Sequence, residues 1–331
     1  MLVAIAQANS KLHKAYGEDP WTQRLDAVYG EFFGTPVRVF PVSTGTAANS
    51  LSLATLAPPY GAVFAHEQSH VVRDECGAPE FFTGGARLVN VAGRHGRIVS
   101  ETLSAAIDAN PPSVHTVQPA SLTLTQATEL GTTYQPDDVA VLSELAKHHR
   151  LKVHMDGARL ANAIVSLNCH PSEITWRAGV DVLSFGATKN GAIAAEAVVF
   201  FDRSLVRDFE LRRKRSGHLL SKSRYVSAQL LAYVETGVWR RNAARANKLA
   251  QRVALAAGPR LMHPVDANEI FVRLGDAGKR RLREAGFEFY DWGAERSGEA
   301  RFVVSWDQPE REVAALSEAL ARLQQPVNIV S

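Results

Sequence analysis

The sequence has little of what marks a secreted, membrane or nucleic-acid-binding protein. Only two cysteines, Cys76 and Cys169, occur in 331 residues, and they show neither metal-type spacing nor the pattern of a disulfide framework. The formal net charge of +3 is small and spread along the chain, so it does not indicate nucleic acid. No uncharged apolar run approaches membrane-spanning length, and the start lacks the basic region of a signal peptide. We therefore expect a cytoplasmic protein with no nucleic-acid or membrane partner.

Apolar strand-like runs alternate with helical patterns through the first two thirds of the chain. A helix is predicted over 136–149, where Gln135-Pro136-Asp137 is typical of a helix start. The predicted strands cover 38–43, 61–65, 86–91, 113–119, 151–156, 181–186 and 196–201. Such alternation is typical of βαβ units, so the sequence predicts an α/β fold with a mostly parallel sheet.

The pattern changes towards the C-terminus. One long helix is predicted from about 234 to 257, followed by a strand, a helix, a strand and a helix. We therefore predict a large α/β domain over residues 1–233 and a small α+β domain over residues 234–331.

The stretch "STGTAANSL" follows a predicted strand and opens a helix. Its hydroxyls and backbone N–H groups, together with the helix dipole, favour a bound phosphate. The spacing matches neither a Walker A loop nor the dinucleotide fingerprint, and an ordinary capped helix would have the same sequence.

Two further predicted strands end in chemically useful residues. Asp156 in "VHMDGARL" faces a ligand or caps the next helix. Lys189 in "SFGATKNG" is surrounded by small residues, and desolvation there would lower its pKa and favour a Schiff base with a carbonyl; a surface turn is the alternative. His70, after another strand, either stacks on a cofactor, moves a proton or is structural. A phosphate cradle, a carboxylate and a Schiff-base lysine are what pyridoxal phosphate requires.

Six segments in this order resemble the threonine aldolases of the fold-type-I pyridoxal-phosphate enzymes. They are "AYGEDPWT", "STGTAANSL", "HEQSHVVRDECGAPEFFTGGA", "HMDGARLANA", "SFGATKNG" and "RFVVSWD". The resemblance implies a fold-type-I transferase-like fold, a mostly parallel sheet with flanking helices plus a smaller C-terminal α+β domain. It also implies cleavage of L-threonine or a related β-hydroxy-α-amino acid to glycine and an aldehyde, in a homodimer or homotetramer.

The resemblance implies roles for individual residues as well. Lys189 is expected to carry the cofactor as a Schiff base, Asp156 to pair with the pyridine nitrogen and His70 to stack on the ring. The groups expected to bind the cofactor phosphate or the substrate carboxylate are Gly45, Thr46, Arg159 and Arg301.

The chain departs from the family at two places. Many members carry a His where this chain has Thr128, so we expect Thr128 at the substrate site and a changed substrate range. Family members also begin with a strand-like segment carrying a Ser-Asp pair, and this chain begins after it. Either the start codon has been assigned too far downstream or the N-terminal segment is truncated, and we favour the first.

Three alternatives remain open from the sequence. "HEQSH" matches a zinc metalloprotease motif, but His66 directly follows a strand, and two His at this spacing need a helix to share a metal. We therefore expect no metal site. Another fold-type-I lyase or an aminotransferase would share the aspartate and the lysine, and an inactive paralogue would bind the cofactor without turnover.

Overall fold

The computed structural model describes residues 1–323, which contain two separate sheets. The large sheet has seven strands in the order β1-β7-β6-β5-β4-β2-β3. They are β1 (Arg38–Val42), β2 (Gly61–His66), β3 (Arg87–Val91), β4 (Gln118–Thr125), β5 (Lys152–Gly157), β6 (Val182–Gly186) and β7 (Glu196–Phe200). Strand β7 is antiparallel to both of its neighbours, and the other pairs are parallel.

Helices cover the large sheet and connect its strands. They are α1 (Leu2–Ala8), α2 (Pro20–Phe33), α3 (Gly45–Leu56), α4 (His70–Arg73), α5 (Ala78–Thr83), α6 (Ser100–Asp108), α7 (Pro136–His148), α8 (Leu160–Leu167), α9 (Val206–Arg215) and α10 (Arg224–Glu235). The residues of β6 and β7 are buried throughout. A strand that is covered on both faces buries the side chains on both sides, so its sequence is a nearly continuous apolar run. Such runs made these strands easy to predict from the sequence.

The second sheet is small and antiparallel. Its strands are β8 (Glu269–Arg273), β9 (Tyr290–Trp292) and β10 (Glu299–Val303), in the order β8-β10-β9. Helices α11 (Val238–Ala257), α12 (Gly275–Glu284) and α13 (Glu310–Arg322) pack with it around a separate apolar cluster. The predicted α/β fold with an appended α+β region is therefore confirmed. The domain boundary at 233/234 stays a prediction, and residues 324–331 of the predicted small domain lie outside the described residues.

One predicted strand is wrong. The strand predicted over 113–119 is a largely exposed segment in which Val114 is 96% exposed, and the strand is β4, which starts at Gln118. Strand β4 lies between β2 and β5, so pairing on both sides decided its position.

The long helix predicted from about 234 to 257 is confirmed as α11, which starts four residues later than predicted, at Val238. Gly237 precedes it with a φ of 67°, in the left-handed region that a helix cannot use, and separates α11 from α10.

The other strands predicted for the large sheet and the helix α7 lie within one or two residues of their predicted bounds. Helix α7 begins at Pro136, whose fixed φ suits the first helical turn and whose missing N–H costs nothing there. Within residues 1–323, no helix is both long enough and apolar enough to cross a membrane.

Candidate active site

The predicted site residues meet at one edge of the large sheet. Parallel strands end at the same edge, and the reversed β7 begins there. Ligands of open α/β sheets bind at this edge. The segments that follow or close β1, β2, β4, β5 and β6 carry, in chain order, Gly45, Thr46, His70, Thr128, Asp156 and Lys189.

Two glycines let the ends of β5 and β6 approach the neighbouring backbone. A Cβ on Gly157 would lie 2.8 Å from the carbonyl oxygen of Ser184, and a Cβ on Gly186 would lie 2.6 Å from that of Ala158. Real Cβ atoms do not come so close, so neither position accepts a side chain. The close approach brings together the strand ends that carry the predicted carboxylate and lysine.

The turn that carries Lys189 is anchored on both sides. The N–H of Ala187 donates to Glu196 Oε2 at 3.1 Å, and Asn190 Nδ2 donates to Tyr233 Oη of α10 at 2.6 Å. The backbone of the turn is therefore fixed, whereas the Lys189 side chain itself is exposed. The desolvation expected for Lys189 is wrong for the single chain, because its small neighbours leave the side chain open to solvent.

Asp156 belongs to a chain of side-chain hydrogen bonds. Asn49 Nδ2 of α3 donates to Asp156 Oδ2 and to Glu75 Oε1, each at 2.9 Å. His70 Nδ1 lies 2.9 Å from the same oxygen of Glu75. The N–H of Ala158 donates to the other oxygen of Asp156 at 3.0 Å. The predicted partner of the ring nitrogen and the predicted stacking residue are thus linked through two residues that the sequence analysis did not single out.

Electrostatics within this chain favour a protonated His70. The hydrogen bond to Glu75 raises the pKa of His70 and outweighs burial, and the charges of Glu129 and Asp156 act in the same direction. Burial raises the pKa of Glu75, although the hydrogen bonds from His70 and Asn49 oppose the rise. The Nδ1–H of His70 is therefore held towards Glu75, which leaves the Nε2 atom for other contacts.

The start of α3 fits a phosphate. Thr44 caps the helix, and its hydroxyl accepts from the N–H of Ala47 at 3.1 Å. The backbone N–H groups of Gly45 and Thr46 lie before Ala47 in the first turn of the helix, where the helix dipole is positive. A Cβ on Gly45 would meet nothing within 4 Å, so open space adjoins the first turn.

Arg159 and Arg301 come together on one buried carboxylate. Arg159 Nη1 lies 3.0 Å from Glu269 Oε2, and Arg301 bonds Glu269 Oε1 through Nε and Nη2. Glu269 belongs to β8 and is 0% exposed, and Arg301 lies on β10 between the rings of Tyr290 and Trp292. The two arginines carry one more positive charge than Glu269 neutralises, which suits an anionic ligand group.

The hydroxyl of Thr128 is used inside its own loop. It lies 2.9 Å from the hydroxyl of Thr132 and accepts from the N–H of Leu130 at 3.3 Å, and Thr128 is 1% exposed. The next residue, Glu129, is an acid that the sequence analysis did not consider. Its carboxylate forms no hydrogen bond and no ion pair with residues 1–323.

A histidine beneath Asp156 joins three strands. His154 of β5 contacts the hydroxyls of Thr123 on β4 and Ser184 on β6, at 2.8 and 2.9 Å. Burial lowers the pKa of His154 to about 4, against the charge of Asp156. His154 is therefore neutral and structural, although it lies in the motif "HMDGARLANA".

Glu196, which accepts from the lysine turn, is a second buried titratable group. Burial raises its pKa to about 7, although hydrogen bonds from Thr188 and Ala187 oppose the rise.

The residues at this edge fit the cofactor that the resemblance implies. A helix N-terminus with open space beside it suits a phosphate, a hydrogen-bonded carboxylate suits a pyridinium nitrogen, and an exposed lysine on a fixed turn suits an aldehyde. The residues missed from the sequence are Asn49, Glu75, Glu129, Glu196 and Glu269. Asn49 lies inside the motif "STGTAANSL", and Glu75 lies inside the segment that begins with "HEQSH", so the sequence contains a signal for these two. The other three lie outside the quoted motifs and had no such signal.

The two histidines of the zinc-like motif lie in different elements. His66 ends β2, with its ring against the carbonyl of Gly93 and the N–H of Gln68, whereas His70 begins α4 and contacts Glu75. His66 and His70 therefore do not share one helix, and their rings have separate partners. In the part of the chain that the structure describes, no three His, Cys, Asp or Glu side chains are grouped to hold a metal.

The fold and the residues at its strand ends define a class. The mostly parallel sheet with flanking helices and a small C-terminal sheet is the fold of the fold-type-I pyridoxal-phosphate enzymes. Residues 1–277 match the model of the β-eliminating lyase family, so the chain belongs to that family.

Known proteins resemble the chain over nearly its whole length. The low specificity L-threonine aldolases of a Pseudomonas species and of Pseudomonas aeruginosa are each 42% identical over 318 residues, which cover 95% of this chain and 91% of those proteins. The structure of Leishmania major threonine aldolase matches with a TM-score of 0.91 at 27% identity, covering 97% of this chain and 95% of that one. Thermus thermophilus aspartate aminotransferase, at 17% identity, TM-score 0.69 and coverages of 97% and 87%, shares the fold alone.

Proposed function

We propose that the protein uses pyridoxal phosphate to cleave L-threonine or related β-hydroxy-α-amino acids to glycine and an aldehyde. The observation that carries this proposal is the placement of Asp156 and Lys189 at adjacent strand ends, beside the free N-terminus of α3. The 42% identity to low specificity L-threonine aldolases supports the choice of reaction.

The residues divide the work as the resemblance implied. Lys189 attaches the cofactor aldehyde, the N–H groups of Gly45 and Thr46 hold its phosphate, and His70 stacks on the ring. Asp156 keeps the ring nitrogen protonated, and Asn49 orients that carboxylate. Pyridoxal phosphate held by these residues would supply an electron sink for the bond that breaks.

The substrate carboxylate binds between the two arginines. Arg159 and Arg301 are already oriented by Glu269, so they lose little freedom when a ligand binds. Arginine suits this role because its planar fork matches a carboxylate. A substrate-binding role for Thr128 stays a prediction, and its hydroxyl would have to leave Thr132 to reach a ligand.

The test is release of acetaldehyde from L-threonine by purified protein loaded with pyridoxal phosphate. Lys189→Ala should lose roughly a thousandfold or more of this rate, about 4 kcal/mol of barrier, together with the visible band of the lysine-bound cofactor. Lys248→Ala, at an exposed lysine of α11, is the control and should keep both. No aldehyde from L-threonine or other β-hydroxy amino acids would contradict the proposal.

Two other outcomes correspond to the alternatives. Formation of a keto acid, or elimination without an aldehyde, would indicate an aminotransferase or another lyase of the same fold. Visible absorbance from bound cofactor without turnover of any amino acid would indicate an inactive paralogue.

We further propose a homodimer or homotetramer in the cytoplasm, with a large domain over 1–233 and a small one over 234–331. The exposed apolar side chains of Leu2, Val3 and Leu12 near the N-terminus support an interface between subunits. The unpaired Cys76 and Cys169 support a reducing compartment. An apolar cluster that lies wholly between Leu249 and Leu320 supports the domain division. Molar mass in solution, measured by light scattering, tests the assembly.

A further inference from the structure

Glu129 is a buried acid without a partner in a site where the other charged groups have one or are exposed. It is 8% exposed, and it makes no hydrogen bond or ion pair with any described residue. Leaving a buried carboxylate unpaired is costly, so native proteins keep such groups where a ligand or a reaction needs them.

The loop that carries Glu129 is held at both ends. At its start, the N–H of Gln126 donates to the carbonyl of Asp156 at 2.8 Å. At its far side, the carbonyl of Gly131 accepts from the N–H of Asp266 at 2.9 Å and from that of Ala267 at 3.1 Å. The loop therefore bridges the large sheet and the segment before β8, and Glu129 has a fixed position between them.

Charged groups from several other segments act on Glu129 or respond to it. Arg159 and Lys189 attract its negative charge, and Glu269 and Asp156 repel it. The charge of Glu129 in turn acts on His70 and on Arg301. The carboxylate thus interacts electrostatically with the predicted charged site residues His70, Asp156, Arg159, Lys189 and Arg301, which come from five segments, and with Glu269 of β8.

Two other side chains near the site, those of His70 and Thr128, could act as a base, and each has another contact or another expected role. The ring of His70 is bonded through Nδ1 to Glu75, on the side of Asn49 and Asp156. The hydroxyl of Thr128 is paired with Thr132 and is a poor base near neutral pH. Glu129 instead belongs to a loop that packs closely against β8, where a Cβ on Gly131 would lie 2.6 Å from the carbonyl oxygen of Glu269. Glu269 is the residue that orients the two arginines that would hold the substrate.

We propose that Glu129 is the base that removes the proton of the substrate's β-hydroxyl. The O–H bond breaks as its proton moves to the carboxylate, the C–O bond becomes a carbonyl, and the Cα–Cβ bond breaks. The electron pair of that bond stays with the glycine fragment, and the aldehyde leaves. The glycine fragment takes up one proton from solvent at Cα, and Glu129 releases its proton to solvent before the next cycle, so no oxidant or reductant is needed. This inference rests on the proposed function.

The electrostatics suit this role. Burial raises the pKa of Glu129, and the repulsion from Glu269 and Asp156 adds to the rise against the pull of Arg159 and Lys189. A raised pKa brings a carboxylate closer to working pH and makes it a stronger base. The rate should therefore fall on acidification at a higher pH than an ordinary glutamate would give.

Glu129→Gln tests the proposal because the amide keeps the shape and removes the base. We expect a loss of about a hundredfold or more in kcat for aldehyde release from L-threonine, and loss of the acidic limb of the pH profile. Exchange of the α-proton of glycine with solvent deuterium needs no hydroxyl base and should continue. Glu129→Asp, which retains a shorter carboxylate, should keep part of the activity, and the same Glu→Gln change at the exposed Glu144 should have no effect.

A second readout does not depend on turnover. In the cofactor-free protein, infrared difference spectra between wild type and Glu129→Gln should show one carboxyl group that titrates above the range of an ordinary glutamate. Absence of that signal, or cleavage of L-threonine by Glu129→Gln at the wild-type rate, would overturn this inference and leave the proposed function intact. Absence of aldehyde release by the wild type would overturn both.

Discussion

Two groups of charged residues at the site are built in different ways. The first, which we call the strand-edge cluster, comes from segments between β1 and β6 and consists of Asn49, His70, Glu75 and Asp156. The second, the two-sheet cluster, combines segments after β4 and β5 with strands of the small sheet and consists of Glu129, Arg159, Glu269 and Arg301.

The difference lies in what holds each cluster together. Neutral and charged hydrogen bonds of 2.9 Å link the strand-edge cluster, so its geometry is set within one sheet. The two-sheet cluster depends on charge across two sheets, with two guanidinium groups on one fully buried carboxylate and one acid left unpaired. We therefore expect changes in the first to act mainly on chemistry and changes in the second to act on stability as well.

The largest effect should come from the charge of the strand-edge cluster. Asp156→Asn keeps the size of the side chain but cannot keep the ring nitrogen protonated, so kcat for aldehyde release should fall roughly a thousandfold, about 4 kcal/mol of barrier. The visible band of bound cofactor should persist. Asp137→Asn, on the exposed start of α7, is the control. An Asp156→Asn enzyme within tenfold of wild type would show that the carboxylate does not tune the cofactor.

Removing the shared carboxylate of the two-sheet cluster should lower stability. Glu269→Gln leaves Arg159 and Arg301 without their buried counter-charge, so the free energy of unfolding should fall by about 3 kcal/mol. Glu299→Gln is a matched change on the neighbouring strand, where the ion pair with the exposed Arg273 is worth under about 1 kcal/mol. Urea unfolding measures both. Equal losses in the two variants would mean that burial of the carboxylate is unimportant.

Two buried titratable groups should give opposite pH dependences. His154 has a folded pKa of about 4 against 6.5, so the unfolded chain binds more protons between these values and His154 makes stability rise with pH. Glu196 has a folded pKa of about 7 against 4.5, so the folded chain binds more protons and Glu196 makes stability fall as pH rises.

Urea unfolding at pH 5 and pH 7 measures these contributions. The stability difference between wild type and His154→Gln should grow by about 2 kcal/mol from pH 5 to pH 7, and that between wild type and Glu196→Gln should shrink by about the same amount. Slopes of the same sign in the two variants would contradict the assigned burial of one group.

The smallest effect should come from the middle of the strand-edge cluster. Glu75→Gln removes the charge that raises the pKa of His70, so the titration of His70, followed by its ring NMR signals, should move to lower pH. The exposed Glu67→Gln should leave that titration in place. An unchanged His70 titration in Glu75→Gln would mean that the contact between the two side chains does not persist in solution.

The sequence by itself determined the large sheet and the placement of Asp156, Lys189 and Gly45. Buried strands have continuous apolar runs, and these three residues each lie at or just after the end of a strand inside a recognisable motif. Parallel strands then place them at one edge of the sheet without further information. The sequence failed at β4, because the bounds of that strand depend on pairing with β2 and β5. It placed the start of α11 too early, because the backbone angle at Gly237 separates α11 from α10.

Only the tertiary structure decided the two-sheet cluster. Glu269 is one residue of an ordinary strand, and nothing near it in the chain indicates that it meets Arg159 and Arg301. Glu129 follows Thr128, which differs from the residue common in the family. The burial of Glu129 and its lack of a partner arise only when the loop packs against the segment before β8. A local motif indicates which chemistry a residue could perform. The pKa of an acid such as Glu129 depends on burial and on charges distant in the sequence, and both exist only once the chain has folded.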